Sequence, residues 1–200
     1  MALGVCNCGE LSGVEERSDQ ELVSAANAGE ASAFEAIYQR HRDWVVNLAF
    51  RFCGDREMAL DVLQDAFLYL LKKFPGFELR CELRTFLYPA VKHLALNARK
   101  KAGRYATGGG GDEAGDGGVE ELFAGLEAPR SEAGGEEELR AALAKLPVQQ
   151  RETVVLRFME GMDLAEIAVA LEVPLGTVKS RLHHALEALR KQPGLRELFE

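Results

Sequence analysis

Apolar residues recur at helical spacing on both sides of one stretch, GGGGDEAGDGG, that has no periodicity. Upstream, Phe34, Ile37, Tyr38, Val45, Leu48, Ala49 and Phe52 share one helical face; Leu60, Leu63, Phe67, Leu70 and Leu71 share another and are expected to point inward. No segment alternates apolar and polar residues as a half-buried strand requires. The chain is therefore expected to be all-α, with two small helical domains joined by a flexible, acidic, Gly-rich linker. The boundaries read as a disordered tail over 1–17, a helical domain over 18–103, a linker over 104–135, a second helical domain over 136–191 and a tail over 192–200.

Local signals divide each half into helices. Ser18 with Glu21 makes a capping box, Gly29 interrupts the helix it opens, and Gly54 followed by Asp55 reads as a stop and a new cap. The helix after Asp55 should run to about Phe74, Pro75-Gly76 should turn, and a further helix should span Glu82 to Lys101. Beyond the linker, helices are expected near 136–146, 148–160, 163–171 and 174–191. Pro147 and Pro174 stand at helix starts, where a missing N–H costs little, Gly161 at a stop, and Asp163 with Glu166 at a second capping box.

The net charge of −8 argues at first against nucleic acid, but its distribution reverses the argument. From Arg80 to Arg104 seven basic residues face one acid, whereas from Ala106 to Arg140 ten acids face two arginines. A phosphate backbone responds to the local field more than to the sum. The Gly run lacks the Gly-Lys-Ser/Thr of a phosphate loop, and no strand precedes it. A free linker of about 30 residues spans roughly 30 Å, enough for the halves to sit apart on one large partner.

No apolar run approaches the roughly 18 residues of a membrane helix, so no membrane insertion is expected. MALGVCNCGEL lacks a basic segment followed by an apolar one, so no secretion signal and a cytoplasmic location are expected. Four cysteines do not make a disulfide scaffold. Cys6 and Cys8 are two soft ligands without a third, Cys53 reads as core, and Cys81 lies in a loop where it could be exposed. His41 sits among charged residues and reads as surface, and His183-His184 is adjacent rather than spaced as a metal pair. No nucleophile–histidine–acid set is visible, so no enzyme, small-molecule substrate, metal or cofactor is expected.

DLAEIAVALEVPLGTVKSRLHHALEALR, residues 163–190, reads as two helices joined by a tight turn. Leu164, Ile167, Ala168, Leu171, Val173, Val178, Leu182 and Leu186 would pack inward, leaving Thr177, Lys179, Ser180, Arg181 and His184 outside. A helix-turn-helix presents such side chains to base edges and phosphates. A plain helical hairpin with a solvated face fits the same pattern.

The stretch from Leu139 to Arg190, with LAKLPVQQRETVVLRFMEGMDLAEIAVAL followed by GTVKSRLHHAL, closely resembles region 4 of bacterial sigma factors, the extracytoplasmic-function group above all. YQRHRDWVVNLAFRFCGDREMALDVLQDAFLYLLKKF resembles sigma region 2, including the Asp61, Gln64, Asp65 and Phe67 positions of its polymerase-binding helix. The likeness covers about 150 of the 200 residues, with two motifs in the expected order.

The resemblance implies a transcription initiation subunit that binds core RNA polymerase, recognises the −35 and −10 elements of promoter DNA and promotes opening. It places polymerase contacts at Asp61, Gln64 and Asp65. The −10 contacts fall at Phe77, Arg80, Arg84, Lys92, His93, Arg99, Lys100 and Lys101, a mixture of aromatic surface and cations that single strands require. The −35 contacts fall at Thr177, Lys179, Ser180, Arg181 and His184. An anti-sigma factor is a partner expected by analogy. Other readings are a stand-alone helix-turn-helix regulator and a degenerate sigma-like protein that binds polymerase without reading promoters.

Several positions depart from the family pattern. Phe86-Leu87-Tyr88-Pro89 stands for a Trp-Leu-Tyr-Arg-like run, with His93 where Asn is usual; an interior proline costs about 3 kcal/mol and should kink the helix or shorten its start. Glu172 stands where Gly is usual in the turn, at a cost of roughly 1 kcal/mol if the residue is left-handed. His184 stands where Arg is common, which removes a permanent charge and implies weaker or pH-sensitive −35 binding.

Overall fold

A computed structural model describes residues 17–107 and 136–192, with side chains for 17–104 and 138–192. The tail around Cys6 and Cys8, and most of the acidic Gly-rich segment, lie outside the described residues. Among those described there are eight helices and no strand: α1 (Asp19–Asn27), α2 (Ala31–Cys53), α3 (Arg56–Leu71), α4 (Leu83–Thr107), α5 (Glu136–Ala144), α6 (Val148–Phe158), α7 (Leu164–Ala170) and α8 (Leu175–Arg190).

The caps follow the local rules. Ser18 and Glu21 exchange the two bonds of a capping box, and Asp163 and Glu166 do the same for α7. Asp55 accepts from the Met58 N–H at 2.8 Å, and Gly54 closes α2 at a φ of 71°. Four orphan N–H groups head every helix, and each cap satisfies one or two of them. Buried Arg151 does the equivalent at a C-terminus, donating to the carbonyls of Ala144 and Leu146 at 2.6 and 2.9 Å just beyond α5.

α1 to α4 enclose a core in which Leu22, Ile37, Leu70, Leu83 and Leu87 are fully buried. Each such side chain contributes about 2 kcal/mol of apolar transfer. Edge-on contacts of Phe34 with Phe67 and Phe74, and of Tyr38 with Phe67, join α2 to α3 and the turn after it. A smaller core of Ala142, Leu143, Leu146, Val154, Ala185 and Leu189 joins α5, α6 and α8.

Several expectations need correcting. Leu60 and Leu71 do not point inward; they are 44% and 47% exposed. The buried face of α3 is Ala59, Val62, Leu63, Ala66, Phe67 and Leu70, and at about 100° per residue Leu60 and Leu71 fall at its edge. α3 ends at Leu71 rather than Phe74. His41 is buried, not on the surface, because its Nε2 lies 2.8 Å from the Asp19 carboxylate across the α1–α2 contact. Pro89 does not shorten α4, which starts at Leu83 and runs on to Thr107, past the expected end of the first domain. The halves also share apolar core: Val155, Leu156, Met162, Ile167, Ala170 and Val178 pack into the same cluster as the N-terminal helices.

Candidate polymer-binding surfaces

The outer face of α3 carries Asp61, Gln64 and Asp65, all exposed. Beside them stand Leu60, Leu68 and Leu71, three large apolar side chains in water that the sequence reading had not assigned to this face. At about 100° per residue the six share one side of the helix. A groove of about 450 Å³ runs alongside, lined by Met58, Asp61, Val62 and Asp65 of α3 and by Leu94, Asn97, Ala98 and Lys101 of α4. Apolar contact bordered by carboxylates suits a partner helix that carries basic residues.

The loop from Lys72 to Glu82 and the exposed side of α4 make a second surface. Arg80 and Arg84 are exposed, the first paired with Glu78 at 2.7 Å and the second 5.7 Å from the Trp44 ring. His93, Lys100 and Lys101 are exposed, and Arg99 is partly so. The His93 ring meets the Asn97 amide at 2.8 Å. Phe77 does not join them. It is 9% exposed and packed between Phe74 and Phe86, so core burial withdraws its ring from stacking. Phe86 stacks on Tyr69 instead, and both remain partly accessible.

Lys92 is engaged by the other half of the chain. Its Nζ lies 2.6 Å from Glu152, a buried carboxylate of α6 that also accepts from the Tyr88 hydroxyl. Burial, then the charge and hydrogen bond of Glu152, push the Tyr88 pKa well above its ordinary value. A second carboxylate repeats the arrangement: Glu160 accepts from the Trp44 indole N–H at 2.5 Å and from Arg51. The sequence reading missed Trp44, Arg51, Glu152 and Glu160, and Tyr88, an aromatic that the resemblance would set among the −10 contacts, is buried against Glu152 instead. One signal was present: Glu152 lies on the stripe of Val148, Val155, Leu156 and Met159, an acid where the period of α6 calls for an apolar residue.

α8 presents the third surface. Lys179, Ser180 and His184 are exposed and Thr177 is partly so, while Arg181 donates to Gln149 of α6 at 2.8 Å. Ile167 and Ala170 of α7 and Val178 of α8 are buried and fix the helix pair. In the turn Glu172 has a φ of 53°, the left-handed conformation that the usual Gly would adopt freely. It is the one non-Gly residue at positive φ among the described residues. No group of three or more metal-ligating side chains occurs there either, and no helix is long and apolar enough to cross a membrane.

Comparison with known proteins bears on all three surfaces. Residues 37–105 match the family model of Sigma-70 region 2, and residues 136–189 match that of Sigma-70 region 4. The chain is 30% identical over 193 residues to the ECF RNA polymerase sigma factor SigW of Bacillus subtilis, covering 90% of this chain and 97% of that one. It is 30% identical over 196 residues to the ECF RNA polymerase sigma factor SigM of Mycobacterium tuberculosis, covering 96% and 93%. This chain belongs to the extracytoplasmic-function sigma factors. The fold agrees: CnrH, solved in complex with the cytosolic domain of CnrY, aligns with a TM-score of 0.58 at 21% identity over 90% of this chain and 96% of that one. RpoE of Bartonella quintana, solved with the anti-sigma factor NepR, aligns with a TM-score of 0.56 at 19% identity, over 84% of this chain and 98% of that one.

As a sigma factor of this group the protein binds RNA polymerase and recognises promoters, and the family's members are not enzymes. The region 2 match takes in α3, α4 and the loop between them, and the region 4 match takes in α5 to α8. α1 lies outside both matches.

Proposed function

We propose that this sigma factor docks on core RNA polymerase through the outer face of α3, with Asp61, Gln64 and Asp65 meeting basic residues and Leu60, Leu68 and Leu71 filling apolar contacts between them. The loop before α4 and the exposed side of α4 capture the −10 element as single strand. Arg80, Arg84, His93, Arg99, Lys100 and Lys101 supply the polar and cationic contacts, Lys92 joins them when it leaves Glu152, and Phe86 with Tyr69 supplies aromatic surface. α8 enters the major groove at the −35 element, with Thr177, Lys179, Ser180, Arg181 and His184 toward bases and phosphates.

The two elements are about 25 base pairs apart, or about 85 Å along the duplex. A compact fold of this size has a radius of gyration of about 15 Å. The halves therefore separate when both elements are held, and the acidic Gly-rich segment spans between them, imitating nucleic acid as it threads the polymerase channel. A polymerase subunit works in the cytoplasm. Because CnrH and RpoE were solved with CnrY and the anti-sigma factor NepR, an anti-sigma factor that covers these surfaces is the further partner.

The observation that carries this reading is the pair of exposed cationic faces, on α4 and α8, inside the two matched regions. Reconstituted transcription with core polymerase on pooled genomic DNA tests it. Discrete start sites with shared motifs near −35 and −10, absent without the protein, are expected. Polymerase binding without initiation would instead favour a degenerate sigma-like protein, and sequence-specific binding without polymerase a stand-alone regulator.

A further inference from the structure

We propose that α1, which precedes the region 2 match, is a positioning element for the −10 loop and acts mainly through Asn27. The inference rests on the reading of Arg80 and Arg84 as −10 contacts.

Asn27, in the last turn of α1, makes three hydrogen bonds to a loop some fifty residues away. Its Oδ1 accepts from the N–H groups of Gly76 and Phe77 at 2.7 and 3.1 Å, and its Nδ2 donates to the Phe77 carbonyl at 2.8 Å. Among the described residues, no backbone–backbone hydrogen bond involves Gly76 to Cys81. A stretch without a ladder of its own takes its shape from whatever holds its backbone. Here the holder is a side-chain amide, half-buried; its two bonds to Phe77 are partly shielded from water, and the bond from the Gly76 N–H is exposed.

The other end of α1 faces the same loop. Ser18, Asp19 and Gln20 line a cleft of about 470 Å³ together with Leu79 and Cys81 of the loop and Arg84 of α4. α1 is itself fixed to α2, since Asp19 accepts from Arg40 at 2.7 Å and lies 2.8 Å from buried His41. Held on α2, the helix therefore touches the loop at its C-terminus and bounds the cleft at its N-terminus. A brace with that geometry sets where Arg80 of the loop stands relative to Arg84 and the rest of α4.

Asn27 is not placed on DNA, so its role is to position groups that are. Asn27→Ala removes all three bonds. Gly76→Ala disturbs the same turn from the other side: Gly76 has a φ of 99°, and an added Cβ meets open space, so only backbone strain changes. Transcription with core polymerase on the recovered promoter, and on versions altered at −10 or at −35, reads the effect. Each single variant is expected to lose at least about fivefold in discrimination at −10, with −35 discrimination and affinity for core polymerase unchanged. The double variant is expected to lose no more than the worse single one, because both act through one contact.

Unchanged −10 discrimination in Asn27→Ala would overturn the inference, as would a joint loss of −10 discrimination, −35 discrimination and polymerase affinity, which marks a general folding defect. Arg80→Ala and Arg84→Ala separate the two levels. If they lose −10 discrimination and Asn27→Ala does not, only the role of α1 fails. If neither arginine variant loses it, the −10 reading fails and takes this inference with it.

Discussion

The two halves of this sigma factor differ in where their acids find partners. In the N-terminal half, His41 meets Asp19 and Asn27 meets the loop before α4, each within the same four-helix unit. In the C-terminal half, the buried carboxylates Glu152 and Glu160 find donors only across the join among the bonds described, at Tyr88, Lys92, Trp44 and Arg51. The N-terminal helices supply most of the shared apolar cluster, to which α6 to α8 add Val155, Leu156, Ile167 and Val178. The difference teaches what kind of contact the join is. An interface of apolar side chains mixed with carboxylates can be parted and wetted, because the acids regain water as they lose their partners. A purely apolar join would not be left bare so readily.

The most damaging test of that contrast is Glu152→Ala. It leaves the buried Tyr88 hydroxyl and the largely covered Lys92 ammonium without their acceptor. Breaking a buried pair of this kind costs about 3 kcal/mol, roughly a hundredfold in the closed population. Trp44 is the single tryptophan and bonds Glu160 across the join, so its emission should shift to the red while the helical circular dichroism is retained. Loss of helicity together with the shift would mean that the halves fold as one unit, and the contrast would be broken.

A smaller effect belongs to the N-terminal half. Burial alone would push the Asp19 carboxyl up, but hydrogen bonds and charge from His41, and then from Arg40, hold it below the ordinary carboxylate range. A lowered folded pKa contributes stability above about pH 4 that is lost as pH falls through the folded value. Asp19→Asn should therefore cost about 2 kcal/mol at neutral pH, and the deficit should shrink as the medium is acidified below about pH 4. Denaturant melts along a pH series measure this. A deficit that stays constant with pH would contradict it.

The smallest effect sharpens the comparison from the C-terminal side. Glu172→Gly relieves the left-handed turn and should stabilise the helix pair by about 1 kcal/mol, raising the melting midpoint. A fall in the midpoint would show that the Glu172 side chain contributes more than its backbone conformation costs.

Local features of the fold were legible in the sequence, because a cap or a stop is decided within four residues. Ser18 with Glu21, Gly54 with Asp55, Gly161, and Asp163 with Glu166 all stand where their chemistry placed them. Features decided by distant partners were not. His41 lies between Arg40 and Arg42, and nothing nearby in sequence announces Asp19 as its partner. Leu60 and Leu71 were misassigned because they lie at the edge of the stripe: Leu63, Phe67 and Leu70 are buried as expected, and the face continues to Ala59, Val62 and Ala66 on the other side. For the candidate surfaces, the cations of α4 and α8 could be named from charge and spacing. That Phe77 would be core, and Lys92 held by Glu152, depended on which helices meet.

The most direct test of the two-site account is the distance between the halves. Fluorophores placed at the exposed positions Glu35 of α2 and Glu187 of α8 would report it, first in the free protein and then in the initiating complex with polymerase and promoter. The account predicts a short distance in the free protein and an increase of roughly 40 Å or more in the complex, set by the spacing of the promoter elements. An unchanged short distance in a complex that is making RNA would contradict it, because the two halves would then not be holding the two elements at once.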